Sequence, residues 1–347
     1  MQRRDLLKVM ASGAFASLAG CSAPSTGSSR TDLAWLDAIS QADLVASGTL
    51  EAVDLVLAAA ERLASVNSKL NAVTFKDIDR AVDAAPAAKG LLGGVPTLLK
   101  DLNSYPDMPW TRGSRLFAEA LGEPVSAYTQ RLLDAGLVVL GKTNTPEFGL
   151  LPTTEPLLHG PTRNPWNLNH SAGGSSGGAA AAVAAGIVPF AQCGDGGGSI
   201  RIPAALCGVF GLKPSRGRFP DQGYGEQAWP ISIRHVISRT VRDSALVLAL
   251  TERSDDSELL PVGFVEPSRV RPKRIALTID SFYGPPDDET RAAVEATATR
   301  LAARGHAVEP VVDTPLTDGR FAEDFLTLWQ ATAGSIAALV QQKTNMP

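Results

Sequence analysis

Two loops rich in glycine and serine lie close together near the middle of the chain. Residues 172–178 have the sequence AGGSSGG, and residues 194–203 have the sequence GDGGGSIRIP. In the second loop three glycines precede Ser199, so the backbone can direct several N–H groups toward one point beside a hydroxyl. Acyl transfer uses this combination, because the hydroxyl attacks a carbonyl carbon and the N–H groups stabilise the resulting oxyanion. Ser199 is therefore a candidate nucleophile.

A lysine ends one of the apolar segments. Residues 94–101 have the sequence GVPTLLKD, which predicts a short buried strand with Lys100 at its carboxyl end. An ammonium group is costly to bury unless it is paired or loses its charge. We therefore expect burial to lower the pKa of Lys100.

The elements that must hold these residues alternate between helices and strands. The alanine-rich segment 179–185, closed by Gly186, predicts a helix whose amino terminus adjoins the first loop, where N–H groups favour negative charge. Patterns elsewhere predict a helix over 129–135, a strand over 137–140, and then strand, helix and strand over 274–279, 288–304 and 307–312. This alternation predicts an α/β fold with a mixed β-sheet flanked by helices.

Other functions of glycine-rich loops fit this sequence less well. Neither loop contains the phosphate-binding pattern GxxxxGK[ST], and residues 194–199 fail GxGxxG because Ser199 takes the last glycine position. Residues 173–177 match the GxSxG elbow of α/β-hydrolases, which requires a strand just before it. The preceding residues 164–170 (NPWNLNH) are a poor strand. That both loops are only tight turns is an alternative that the residues alone leave open.

The composition is that of a soluble globular protein and gives no sign of nucleic-acid or metal binding. Hydrophobic residues make up 44% and charged residues 20% of the 347 positions, which is ordinary for a soluble globular protein. A net charge of −4 without a basic block gives no indication of nucleic-acid binding. The cysteines and histidines show no metal-ligand spacing, so we expect no metal and no cofactor. Cys193 and Cys207 are expected to be small buried side chains.

The amino terminus resembles an export signal. Arg3 and Arg4 form a twin-arginine pair, and an apolar run that is too short to span a membrane ends in the sequence LAGC at Cys21. That ending looks like a lipoprotein cleavage box, which makes Cys21 the candidate lipidation site. We expect a signal over residues 1–21, a flexible tether over 22–34, and an exported, periplasmic protein held to the membrane only by a lipid anchor. A cytosolic protein with a basic start is the alternative.

The two loops belong to a longer pattern that resembles the amidase signature family. The matching segments are residues 94–101, 141–148 (GKTNTPEF), 160–166 (GPTRNPW), 173–203 and 207–214 (CGVFGLKP). Together they extend the resemblance over about residues 35–315. It implies the amidase signature fold in one domain over residues 35–347. That domain is expected to be short at its carboxyl end, since family members usually continue beyond this length.

In this family the catalytic set consists of two serines and a lysine. The resemblance implies that Ser199 is the nucleophile, that Ser175 is the middle serine after a cis peptide bond, and that Lys100 is the base. It implies four N–H donors for the oxyanion, those of Gly196, Gly197, Gly198 and Ser199. It also implies supporting contacts from three side chains, Ser176, Asp195 and Arg201.

The expected activity is hydrolysis of the C–N bond of a small-molecule amide. Neutral Lys100 takes a proton from Ser175, which takes one from Ser199, and water then hydrolyses the acyl-enzyme. Residues 231–243 faintly resemble the branch that hydrolyses cyclic dimers of 6-aminohexanoate. Two alternatives stay open: a truncated, non-catalytic lipoprotein that binds amides, and an amidotransferase A-type subunit, against which an export signal argues because transfer RNA is cytoplasmic. The sequence gives no indication of oligomeric state.

Overall fold

A computed structural model describes residues 33–220, 231–253, 259–265, 271–312 and 318–344. The predicted signal with Cys21 and most of the predicted tether lie outside these residues. The chain forms two compact units, Met1–Val265 and Glu266–Pro347, whereas the sequence predicts one domain over residues 35–347.

The first unit is built on a six-stranded mixed sheet. Its strands, numbered along the chain, are β1 (Val73–Lys76), β2 (Pro96–Lys100), β3 (Val138–Thr143), β4 (Phe190–Asp195), β5 (Phe210–Gly211) and β6 (Ile233–Ser238). They lie in the order β1-β3-β2-β4-β6-β5. The three central strands β3, β2 and β4 are parallel, while β1 and β6 flank them in the antiparallel direction and β5 pairs antiparallel with β6. Consequently β2 and β4 end at the same edge of the sheet.

Helices cover both faces of this sheet. In chain order they are α1 (Ala38–Ala46), α2 (Ala52–Leu70), α3 (Ile78–Ala84), α4 (Ala127–Asp134), α5 (Gly177–Ala184), α6 (Arg201–Cys207) and α7 (Val241–Thr251). One hydrophobic cluster joins α2, α3, α5 and α6 to the sheet, and a second joins α1, α4 and α7 to it. The prediction of a mixed α/β fold flanked by helices is confirmed.

Helix α5 lies directly on the sheet because its residues are small. All eight are buried, and a Cβ built on Gly178 would lie 2.5 Å from the backbone atoms Ala72 O and Asn144 N. A larger side chain at Gly178 would push the helix away from the strands. The glycines and alanines of this segment therefore set the distance between the sheet and the amino terminus of α5, which follows the first glycine–serine loop.

The second unit contains a parallel strand pair and two helices. The strands are β7 (Arg274–Leu277) and β8 (Ala307–Pro310), and the helices are α8 (Asp288–Ala303) and α9 (Gly319–Thr344). The sequence predicts the first strand, α8 and the second strand. Asp287 caps α8 by accepting the Thr290 N–H at 2.8 Å. Among the described residues of the whole chain, no helix is both long and apolar enough to cross a membrane.

Candidate active site

Lys100 ends the central strand β2, as the sequence predicts, and its side chain is buried. Its Nζ donates hydrogen bonds to Ser175 Oγ at 2.6 Å and to Ser176 Oγ at 3.0 Å. Burial lowers the pKa of Lys100 from 10.5 to about 7, against the opposing influence of Cys193 and Asp195. Near neutral pH a substantial fraction of Lys100 is therefore uncharged, and only the uncharged amine can accept a proton from a hydroxyl.

The first glycine–serine loop is fixed by two threonines. The Thr154 hydroxyl donates to Gly173 O at 2.8 Å and accepts the Gly177 N–H at 3.1 Å. The Thr145 hydroxyl donates to Ser175 O at 3.0 Å. Both threonines are buried, so these hydrogen bonds hold the loop without competition from water. Sequence reasoning did not assign a role to either, although Thr145 lies within the quoted GKTNTPEF segment.

The peptide bond between Gly174 and Ser175 is cis, as the family resemblance implies. Gly149 also lies close to Ser175, because a Cβ built at Gly149 would be 3.3 Å from Ser175 Oγ and 2.6 Å from Leu102 Cδ1. Gly149 has φ +71°, a conformation that favours glycine. A side chain at Gly149 would therefore disturb the middle serine.

Asp195 organises the second glycine–serine loop from the end of β4. Its carboxylate accepts the N–H groups of Gly198 at 2.7 Å, Ile200 at 3.1 Å and Arg201 at 3.4 Å. It also accepts two hydrogen bonds from the Arg201 guanidinium, at 2.9 and 3.0 Å. Burial raises the pKa of Asp195, but these hydrogen bonds and the charge of Arg201 outweigh burial and hold the pKa below 3.8. The loop thus wraps around a charged carboxylate.

Because Asp195 accepts some backbone N–H groups of the second loop, only the remaining N–H groups of that loop can bind a ligand. For Gly198 the structure differs from the predicted set of oxyanion donors, because its N–H already donates to Asp195 Oδ1 at 2.7 Å. Within the described part of the chain, the N–H groups of Gly196, Gly197 and Ser199 have no hydrogen-bond partner. Three of the four predicted donors therefore stay available for an oxyanion.

The two loops contact each other beside the amino terminus of α5, and the first loop also contacts the last residue of α6. The Ser176 hydroxyl lies within hydrogen-bond distance of Gly194 O at 3.4 Å, and Cys207 Sγ lies 3.5 Å from Ala172 O. Ser199 is 9% exposed, and among the described residues its side chain has no hydrogen-bond partner. The structure therefore brings Lys100 and Ser175 into direct contact, while the Ser199 hydroxyl, in the second loop, makes no hydrogen bond to the described residues. Catalytic hydrogen bonds of this kind often form only when the substrate is bound.

The three side chains for which the resemblance implies supporting contacts all make hydrogen bonds within the two loops or to Lys100. Ser176 contacts Lys100, and Asp195 with Arg201 holds the loop that carries Ser199. The α/β-hydrolase alternative lacks its strand, because residues 163–172 form no strand and only one isolated bridge, between Arg163 and Ser171. Cys193 and Cys207 are free and buried, as predicted.

A cavity of about 330 Å³ lies away from these residues. Its lining includes the rings of Trp35 and Trp166 and two positively charged residues, Arg62 and Lys69. Arg62 donates to Ala185 O at 2.7 Å and so caps the carboxyl end of α5. None of the predicted site residues lines this cavity. In the described ranges, no group of three or more histidine, cysteine or acidic side chains could hold a metal ion.

The fold and the site together define an α/β protein in which a buried lysine at the end of a central strand contacts two serines, Ser175 and Ser176. The chain belongs to the amidase family, since the family model described as Amidase matches residues 54–345. Its relatives include amidase AmiC of Mycobacterium tuberculosis, which is 40% identical over 299 residues, 85% of this chain and 63% of AmiC. The 6-aminohexanoate-cyclic-dimer hydrolase of Paenarthrobacter ureafaciens is 38% identical over 319 residues, 86% of this chain and 64% of that protein.

A solved structure of a bacterial aryl acylamidase of the amidase signature family is also similar. It has a TM-score of 0.79 and 34% sequence identity, and the match covers 89% of this chain and 68% of that one. The chain spans a little under two thirds of the length of the curated relatives named above.

Proposed function

We propose that this protein hydrolyses the C–N bond of a carboxamide through an acyl-enzyme on Ser199. The observation that carries the proposal is the 2.6 Å contact between Ser175 Oγ and the buried Lys100 Nζ. A lysine whose pKa is lowered to about 7 by burial can act as a base near neutral pH. Ser175 then links this base to the nucleophile in the neighbouring loop.

The reaction proceeds through two acyl transfers. Ser199 Oγ attacks the amide carbon while its proton passes through Ser175 to Lys100, and the N–H groups of Gly196, Gly197 and Ser199 stabilise the oxyanion. The proton returns to the leaving amine as the C–N bond breaks. Water then attacks the ester, its proton follows the same path, and release of the carboxylic acid regenerates Ser199.

The proposed substrates are small linear or cyclic amides. Support comes from the named activities of the relatives, which are an amidase, a hydrolase of the 6-aminohexanoate cyclic dimer and an aryl acylamidase. Residues 231–243 form β6 and the start of α7, beside the strand that carries Asp195. The faint resemblance of this segment to the cyclic-dimer branch adds that substrate to the proposal.

A substrate panel on the purified protein tests this function. We expect hydrolysis of at least one of four probes: the cyclic dimer of 6-aminohexanoate, an acylated aniline, a simple aliphatic amide and glutamine. Hydrolysis of the cyclic dimer opens its ring and creates a free amino group on the linear product, whereas the other three release an amine or ammonia. Ser199→Ala, assayed in parallel, should hydrolyse none. Binding of amides without turnover would favour the non-catalytic alternative, and hydrolysis of glutamine alone would favour the amidotransferase-type alternative. No binding and no turnover of any probe would contradict all three.

We further propose that the protein is exported and anchored through a lipid on Cys21. The twin arginines and the LAGC sequence support this localisation. In a bacterial host, the wild-type protein should sediment with membranes, and Cys21→Ser should be released or left unprocessed. Mass spectrometry of the amino terminus provides the control. Soluble cytoplasmic protein that retains Met1 would contradict the proposal.

A further inference from the structure

A second lysine, Lys142, is buried in the same sheet, and the proposed chemistry does not use it. Its side chain is 0% exposed, and its Nζ lies 3.6 Å from Asp101 Oδ1. It also donates a hydrogen bond to Asn103 O. Burial lowers the pKa of Lys142 to about 8, while the carboxylate of Asp101 opposes this shift. Burying an ammonium group costs free energy, so there must be a physical reason why Lys142 lies beside Asp101 and Asn103.

A register shift between β2 and β3 directs Lys142 to these partners. Thr97 pairs with Val139, but Leu99 pairs with Lys142, so β3 contains one extra residue between the two pairs. Regular alternation would direct Lys142 to the face on which α5 and Lys100 lie. The extra residue reverses its direction. Lys142 therefore approaches the turn after Lys100 from the opposite face of the sheet.

The turn that follows Lys100 is held by several hydrogen bonds. The Asn103 N–H donates to Lys100 O at 2.8 Å, and the Asn103 side-chain amide donates to Gln192 Oε1 at 2.6 Å. Gln192 Oε1 also accepts the Lys100 N–H at 3.4 Å. Lys142 completes this arrangement by donating to Asn103 O. These groups are buried, so water does not readily replace a lost hydrogen bond.

The same turn also reaches the middle serine. Leu102, between Asp101 and Asn103, contacts Gly149, and Gly149 lies against Ser175. A change in the turn would therefore move the backbone of Lys100 and loosen the packing that keeps water from its amine.

We propose that Lys142, through Asn103 and Asp101, is a positioning residue that holds the 100–103 turn so that Lys100 stays desolvated against Ser175. This inference rests on the proposed function for its kinetic consequences only. The groups that face Lys100 are Cys193 and Asp195 on β4 and the hydroxyls of Ser175 and Ser176. Lys142 acts on Lys100 through the backbone turn, because it contacts the turn from the other face.

The test compares three variants with the wild type. Lys142→Met removes the ammonium and leaves the buried carboxylate of Asp101 without its cationic partner, which can prevent folding. Asp101→Asn combined with Lys142→Met removes both charges and keeps similar volumes. Lys76→Met, at an exposed position of the neighbouring strand β1, is the matched control. Thermal melts establish that each variant is folded before any comparison.

The decisive measurement is the titration of Lys100 by NMR of isotope-labelled lysine side chains, with the signal assigned by its loss in Lys100→Met. In the double variant we expect the midpoint to rise by about one pH unit or more, as water reaches the amine. We expect kcat to fall about 10²-fold with little change in KM, as for a misplaced catalytic group. Lys76→Met should match the wild type in both measurements.

If Lys142 and Asp101 only stabilise the fold, the double variant should give a different result. A folded double variant whose Lys100 midpoint and kcat equal those of the wild type would overturn the positioning role. The titration requires no substrate, so it decides this inference even if the wild type hydrolyses none of the amides. A wild type that hydrolyses none of the amides would contradict the proposed function and would leave this inference intact.

Discussion

Replacing Ser199 by alanine is expected to lower amide hydrolysis by at least about 10⁴-fold, because no other group can form the acyl-enzyme. Within the described chain, the Ser199 hydroxyl makes no hydrogen bond, and the N–H groups of Gly196 and Gly197 in the same loop make none either. Alanine keeps the backbone N–H at position 199, so the variant retains the proposed oxyanion donors and loses only the nucleophile. An electrophilic phosphonate probe should label the wild type at Ser199 and should not label the variant.

The stability of Ser199→Ala should be nearly unchanged. Its hydroxyl makes no hydrogen bond within the described chain, so the free energy of unfolding should change by no more than about 0.5 kcal/mol. Ser65→Ala, at an exposed position of α2, is a matched control that should keep full activity and labelling. Labelling that survives in Ser199→Ala and maps to Ser175 would favour the α/β-hydrolase alternative and contradict the proposed role of Ser199.

Replacing Lys100 by methionine is expected to lower kcat/KM by about 10²–10⁴-fold, the usual contribution of general acid–base catalysis. Methionine fills the buried volume and removes only the amine. Lys100→Arg should not restore activity, because a guanidinium does not lose its proton in a protein. Circular dichroism and thermal melts serve as controls for folding.

The pH dependence follows from the lowered pKa of Lys100. Below about pH 7 the amine is protonated and cannot accept a proton, so kcat/KM should fall about tenfold per pH unit toward acid and level off above pH 7. The midpoint belongs to the coupled Lys100–Ser175 pair. Lys100→Met should remove this acid limb from the profile. An acid limb with the same midpoint in that variant would show that another group titrates.

The pair of Lys100 and Ser175 should behave as one unit. Ser175→Ala should cost about as much as Lys100→Met, and the double variant should cost little more than either change alone, because the proton path is already broken. The 2.6 Å contact between the two side chains is the reason to expect this coupling. Losses that multiply in the double variant would show that the two residues act independently, and the relay would be wrong.

The sheet shows where prediction from sequence succeeds and where it stops. The segments around Lys100 and residues 137–140 are continuous apolar runs, and both form central strands. Strand β4 escaped prediction, because its sequence FAQCGD places Gln192 and Asp195 among small residues and has no regular alternation. Its burial comes from the strands on either side, which the local sequence does not reveal. Strand β6 lies within residues 231–243, for which the sequence shows only a faint family resemblance and predicts no strand.

The candidate site shows the same division. The sequence predicts a buried Lys100 and a candidate nucleophile at Ser199 from residue types in local segments, and the family resemblance adds Ser175 and the base role of Lys100. Tertiary structure decides their partners. It assigns the Gly198 N–H to Asp195, and it places Thr145 and Thr154 against the loop of the middle serine.

The sequence by itself thus determines which reactive residues are present and the alternation of strands and helices on which they lie. What only the tertiary structure decides is which buried donor meets which acceptor. Lys142 illustrates the physical reason. Its local sequence does not determine on which face of the sheet its side chain lies. One extra residue in β3 selects the face of Asp101 and Asn103, and that choice depends on pairing with a strand about 40 residues earlier in the chain.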